Sequence, residues 1–308
     1  MNSLLAIVWF ELKRIMTPGR AFWWVVVAAF PVVIMLLMTN YLNFPPQARV
    51  EQQNVNTLFT IALYYVAPTV SCMLGALLIA APAVASELEQ HSWIYLAVRP
   101  NGLFYLILGK YLVAVVWAAS ATIVGVTGAV AVAGINDQAE VRQPDHKHET
   151  VAAGDDRAAR REGRFRDRPM TNVIPGIAAT GEVWRAMVGL AILSACAYSA
   201  LFIMLGTVFH RRAMVLCVAY TAAVELFLGF FPAVINRFTI QYRLRTLLFD
   251  WTTQSDEFRE SPVLDFVASD ESAFMQILWL ISWIAVFLSI ALVSVHLREF
   301  TSASETDV

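Results

Sequence analysis

Most of the side chains in this chain that can do work, rather than fill a core, lie between Ser86 and Lys110, in SELEQHSWIYLAVRPNGLFYLILGK. Ser86 followed three residues later by Glu89 makes a capping box, in which the hydroxyl accepts from the third amide of a helix and the carboxylate reaches back to the N–H of the cap. A helix is predicted from about Glu87, with Glu87 and Glu89 in its first turn, where carboxylates gain about 0.3–1 kcal/mol each from the helix dipole. Ser92 and Trp93 follow one turn further on. Arg99 precedes Pro100, which disfavours helical geometry at Arg99, and Asn101-Gly102 supplies turn residues, so this helix ends after roughly three turns. A second helix begins at once and carries Gly109 and Lys110. Such a set suits binding and leverage at a water-facing surface; none of it is arranged as nucleophile and base.

Elsewhere chemistry is sparse. Glu225, in VAYTAAVELFLGFF, is a lone acid inside an apolar run. An acid at bilayer depth costs about 2.5–3.5 kcal/mol on insertion scales and faces a bundle interior or a wet cavity. Two roles fit it: a contact between helices, as a protonated acid donating to a carbonyl or hydroxyl, or a place in a substrate path. HETVA at His148 to Ala152 has Ala where a zinc protease needs its second His, and His146 and His148 read as solvated histidines on a polar segment. Cys72, Cys196 and Cys217 fall in apolar runs without paired spacing, as small hydrophobes with neither disulfide nor metal. The phosphate-binding pattern G-x-x-x-x-G-K-[ST] is absent, since Gly109-Lys110 is followed by Tyr111 and lacks the earlier glycine. No catalytic residue and no metal ligand is predicted.

The elements that position these residues are membrane spans. Hydrophobic residues make up 58% of the chain, mean hydropathy is +0.59, and charged residues are far below the quarter found in soluble proteins. The net charge of -2 conceals crowding of charges into a few loops, and nothing in the composition points to nucleic acid as a partner. Residues 1–20 place Leu5, Trp9, Leu12 and Met16 on one helical stripe opposite Glu11, Lys13 and Arg14, an amphipathic interfacial helix. The following run is too long for a signal peptide. Apolar runs of spanning length extend from about Ala21 to Tyr41, Leu58 to Ala85 (broken at Pro68 and Pro82), Leu106 to Gly134, Val183 to Val208, Met214 to Ile235, and Phe274 to His296. Pro31 is expected to kink the first.

Two polar stretches interrupt the runs. Residues 135–182 include DDRAARREGRFRDR and too few apolar residues for a core, so a flexible insert is expected. Residues 236–273 form a second loop, in which Leu247, Leu248, Phe249 and Trp251 are expected to lie in the interface as a short helix. The short-loop cations Lys13, Arg14, Arg20, Arg99, Lys110, Arg211, Arg212 and Arg298 share one face if six spans leave both termini cytoplasmic. Both polar stretches are then non-cytoplasmic. The fold class is an all-α polytopic membrane protein with six transmembrane helices, an entry helix over 1–20 and a cytoplasmic helix over 86–100.

In this order, an acidic pair (Glu87, Glu89), a hydroxyl (Ser92), an apolar helical turn (Trp93 to Leu96), a proline-centred turn (Arg99-Pro100) and Gly109-Lys110 opening the third span, the chain resembles the membrane subunits, or permeases, of ABC-2 type ATP-binding-cassette exporters. The resemblance covers most of the chain in span order and departs from the usual pattern in the long insert over 135–182. It implies that residues 1–308 form one permease domain in a bacterial cytoplasmic membrane. It also implies that two permease subunits, identical or not, pair in the bilayer, and that each docks a separate cytoplasmic ATPase that binds ATP and Mg. Ser86, Glu87, Glu89, Ser92, Trp93, Arg99, Pro100, Gly109 and Lys110 are then the docking and coupling residues, and this chain itself needs no cofactor. The alternatives are a membrane anchor or force-transducing component that carries no substrate, and an ion-coupled carrier or intramembrane enzyme built on Glu225.

Overall fold

Inside hydrocarbon every backbone N–H and C=O must be satisfied within the chain, which leaves helices as the natural solution for long apolar runs. The computed structural model describes residues 3–41, 60–89, 102–141, 178–227, 239–252 and 271–305, and among the described residues there is no strand. Helix α1 is Ser3–Ile15 and α2 is Pro18–Tyr41, with Pro18 at a first-turn position where its missing N–H costs nothing. Helix α3 is Cys72–Glu89, entered through a π-helical turn at Tyr65–Ser71. Helices α4 (Gly102–Val141) and α5 (Ala178–Val208) follow. Helix α6 is Ala213–Tyr220, passing into a second π-helical turn at Thr221–Phe227. Helices α7 (Ile240–Trp251) and α8 (Ala273–Glu305) complete the described set.

Among the described residues five helical stretches are long and apolar enough to cross a membrane: Pro18–Met38, Thr60–Ala85, Gly102–Val132, Gly181–Val208 and Ala273–Leu297. They match five of the six predicted runs and make the chain an integral membrane protein. The remaining run, from Met214, is described only as far as Phe227. In the most apolar 18 residues of each stretch the buried share is 67%, 56% and 61% for those containing α3, α4 and α5, against 22% for α2 and 11% for α8, so the first three form the centre and the last two its margins. Helix α2 lies on α4, α8 on α5, and α1 crosses the start of α4. Helices approach closely where glycine removes a side chain. A Cβ on Gly206 of α5 would stand 2.6 Å from the Ala81 carbonyl oxygen of α3, and one on Gly125 of α4 would stand 2.8 Å from that of Ala28 in α2.

Several predicted boundaries are corrected. No helix begins at Glu87, because α3 runs through Ser86 to Glu89 without a break. The amides there already have partners one turn back and offer no orphan donor for a capping box to satisfy. The second run is not broken at its prolines: Pro82 lies inside α3, and Pro68 falls in the π-helical turn, whose wider spacing accommodates a residue that lacks an N–H. Residues 135–141 and 178–182 are helical ends of α4 and α5 rather than parts of a flexible insert. The short helix expected at an interface within 236–273 exists as α7, but every residue from Ile240 to Phe249 is buried against the bundle, chiefly α5 and α8.

Candidate functional site

Two polar clusters stand out against this apolar frame. The first forms where α1, the end of α3 and the start of α4 meet. Glu87 Oε1 accepts from Arg14 Nη1 at 2.6 Å and from Lys110 Nζ at 3.3 Å. Glu11 Oε1 accepts from the same Lys110 Nζ at 3.4 Å and lies 3.7 Å from Arg14 Nη1. Glu11, Glu87 and Lys110 are buried, whereas the Arg14 side chain is 49% exposed. Two acids and two bases thus neutralise one another in a joint that ties the amphipathic helix to two central helices. Desolvating a charge costs several kcal/mol, so each member holds its place only while its partners remain. The hydrogen bond to Glu87 is the main cause that raises the Arg14 guanidinium above its ordinary value. Beside the joint lies a cavity of about 50 Å³ lined by Glu11, Arg14, Ile15, Arg20, Ile79, Ala83 and Lys110.

Of the predicted docking residues, the structure brings Glu87 and Lys110 together and turns both inward. Gly109 serves packing, since a Cβ there would meet Ile7 Cγ2 of α1 at 2.8 Å. The backbone of Ser86 and Glu89 continues α3. Ser92, Trp93, Arg99 and Pro100 lie outside the described residues, as do His146 and His148. Glu11 and Arg14 are the members that sequence reasoning missed. Glu11 was assigned to the solvated face of α1, yet it points into the bundle while Trp9, Phe10 and Met16 are exposed. The available signal was a pair of charges at i, i+3 on a helix entering a membrane, which local periodicity cannot distinguish from a wet face. The short segment His210–Arg212 packs against α3, consistent with one bundle end rich in cations.

The second cluster surrounds Glu225 and the start of α7. Thr239 caps that helix, its Oγ1 accepting from the Tyr242 amide at 3.2 Å. Glu225 Oε2 accepts from the Gln241 amide at 3.2 Å and from the Tyr198 hydroxyl at 3.0 Å, and Oε1 accepts from the Tyr220 hydroxyl at 3.5 Å. The Tyr64 hydroxyl in turn donates to the Gln241 carbonyl at 3.1 Å. Glu225 is fully buried, and Tyr198 lies well inside the span Gly181–Val208. The carboxylate therefore joins α5, the π-helical turn after α6 and the positive end of the α7 dipole. Of the groups that meet Glu225 here, two are tyrosine hydroxyls, the kind of partner expected for a contact between helices, and the third is the Gln241 amide.

Helix α7 is held further along by its arginines. Arg243 Nη1 donates to Glu271 Oε2 and to Gln276 Oε1, both at 2.8 Å, and its guanidinium lies 5.3 Å from the Trp279 ring centroid. Arg245 Nη1 donates to the Tyr65 hydroxyl at 3.4 Å. Among the described residues Gln241 Oε1 and Arg243 Nε are buried and meet no hydrogen-bond partner. Neither arginine was singled out from the sequence, because RLR in a polar stretch reads as loop.

Among the described residues no group of His, Cys, Asp and Glu is placed to hold a metal ion. Comparison with known proteins yields no matching family model, no matching curated protein and no matching solved structure.

Proposed function

We propose that this chain is the permease subunit of an ABC transporter, of exporter type, driven by a separate cytoplasmic ATPase that binds the ATP and Mg. The observation that carries this is the charge joint. Glu87 ends the second spanning helix and Lys110 opens the next, and their mutual contact anchors both ends of the connection between them, residues 90–101, to α1. A force applied to that connection by a partner would pass into two central helices and the entry helix together. In this reading Ser92, Trp93 and Glu89 meet the ATPase, whereas Glu87, Gly109 and Lys110 transmit its motion from inside the joint. The run from Met214 completes six spans, both termini are cytoplasmic, and a second permease copy or a relative completes the pathway.

The test is to purify the complex from native membranes as wild type and as Glu89→Ala/Trp93→Ala. A distinct ATPase subunit is expected with wild type and is lost from the variant, with the permease still folded. An ATPase retained equally in both ends the docking role; none in either ends the assignment.

A second reading, an ion-coupled carrier, is favoured by one feature: Glu225 is fully buried within a π-helical turn, an element that recurs at functional sites. Transport that persists without any ATPase would select it.

A further inference from the structure

We propose that the cavity where α1 and the start of α2 meet α3 and α4 is a binding site for the phosphate headgroup of an anionic phospholipid. Its lining is unevenly charged. Arg14 and Lys110 are matched by Glu11 and Glu87, but Arg20 also lines the cavity and adds a further cation. Summed over Arg14, Lys110, Arg20, Glu11 and Glu87, one positive charge remains. The cavity holds about 50 Å³, well under the roughly 300–1,000 Å³ of pockets that enclose a small molecule. It accepts only the tip of a ligand whose bulk lies outside.

Exposed apolar side chains lie close by on the same helices. Phe10 is 65% exposed and one helical turn from Arg14; Trp23 is 52% exposed and one turn from Arg20. A phospholipid has this shape: a compact anion joined to hydrocarbon chains that lie along exposed aromatic and aliphatic side chains. Arginine suits the anionic end because its planar fork of donors matches phosphate geometry. Basic pockets at helix junctions near a membrane surface are suited to anionic headgroups. The lipid would bridge α1 to α2 from outside, as the charge joint bridges α1 to α3 and α4 from inside.

The test uses purified, delipidated protein in neutral detergent, incubated with equal amounts of phosphatidylglycerol and phosphatidylcholine, with retained lipid counted by native mass spectrometry. Wild type is expected to retain phosphatidylglycerol preferentially. Arg20→Gln lowers that preference about fivefold or more, Arg20→Lys keeps most of it, and Arg212→Gln, an equal loss of charge away from the cavity, changes it less than twofold. No preference in wild type, or equal loss in Arg20→Gln and Arg212→Gln, overturns the site. Displacement of the retained lipid by millimolar inorganic phosphate at constant ionic strength would assign the cavity to free phosphate and overturn the lipid.

Discussion

Replacing Lys110 with methionine tests the charge joint directly, because methionine keeps most of the length and apolar stem and removes only the charge. Lys110 Nζ lies 3.4 Å from Glu11 Oε1 and 3.3 Å from Glu87 Oε1, and its side chain is 5% exposed. At an effective dielectric near 20, a pair at about 4 Å interacts by about 4 kcal/mol. After substitution both acids remain buried, and of the two cations in the joint Arg14 is left, which stands half in solvent. Breaking a buried pair by removing one partner costs about 3–5 kcal/mol, and that is the expected loss for Lys110→Met. Arg14→Met, by contrast, removes a half-exposed partner whose contribution is screened to about 1 kcal/mol. Unfolding in mixed micelles titrated with sodium dodecyl sulfate, followed by helical circular dichroism, reads both. A double variant Glu87→Gln/Lys110→Met should be less damaging than the sum of its parts by about 0.5–3 kcal/mol. Equal costs for Lys110→Met and Arg14→Met, or strict additivity of the double variant, would refute the claim that these residues act as one buried network.

Three further outcomes concern Glu225 and the helix contacts. Glu225→Ala strands the buried Gln241 amide and two tyrosine hydroxyls and should cost about 3 kcal/mol in the same titration, whereas Glu225→Gln keeps an acceptor and should cost less than about 1.5 kcal/mol; equal costs would mean that Glu225 does not cap α7. An assembled Glu225→Gln complex with unchanged activity and pH dependence removes Glu225 from any substrate path. Gly206→Ala forces α5 away from the Ala81 carbonyl and should destabilise by about 1–3 kcal/mol. Gly181→Ala, with nothing within 4 Å of the new Cβ, should be neutral or stabilising by up to about 1 kcal/mol, and a reversed order would contradict the close α3–α5 contact.

Much of the helical frame is legible in the amino-acid sequence because long apolar runs admit no other backbone solution in hydrocarbon. The stretches Pro18–Met38, Thr60–Ala85, Gly102–Val132, Gly181–Val208 and Ala273–Leu297 all fall where composition places them. The likelihood that Glu87 and Lys110 serve one region is also legible, since they flank one short connection between two such runs. The local signal for a capped helix at Ser86 was outweighed, because a helix already under way satisfies the amides that a cap would serve.

Only tertiary structure decides the rest. In a bundle whose lipid-facing and inward-facing side chains are equally apolar, periodicity does not say which face is which, so the inward turn of Glu11 is invisible locally. The first part of helix α7 reads as loop because Gln241, Arg243 and Arg245 are polar, and nothing nearby in sequence announces their partners, although Leu247 to Trp251 already point to a short helix. Those partners, Tyr64, Tyr65, Glu225 and Gln276, come from three separate helical stretches. Hydrophobic burial is a property of single residues and can be read along a chain; charge pairing and hydrogen bonding belong to pairs, and pairs exist only once the fold has brought them together.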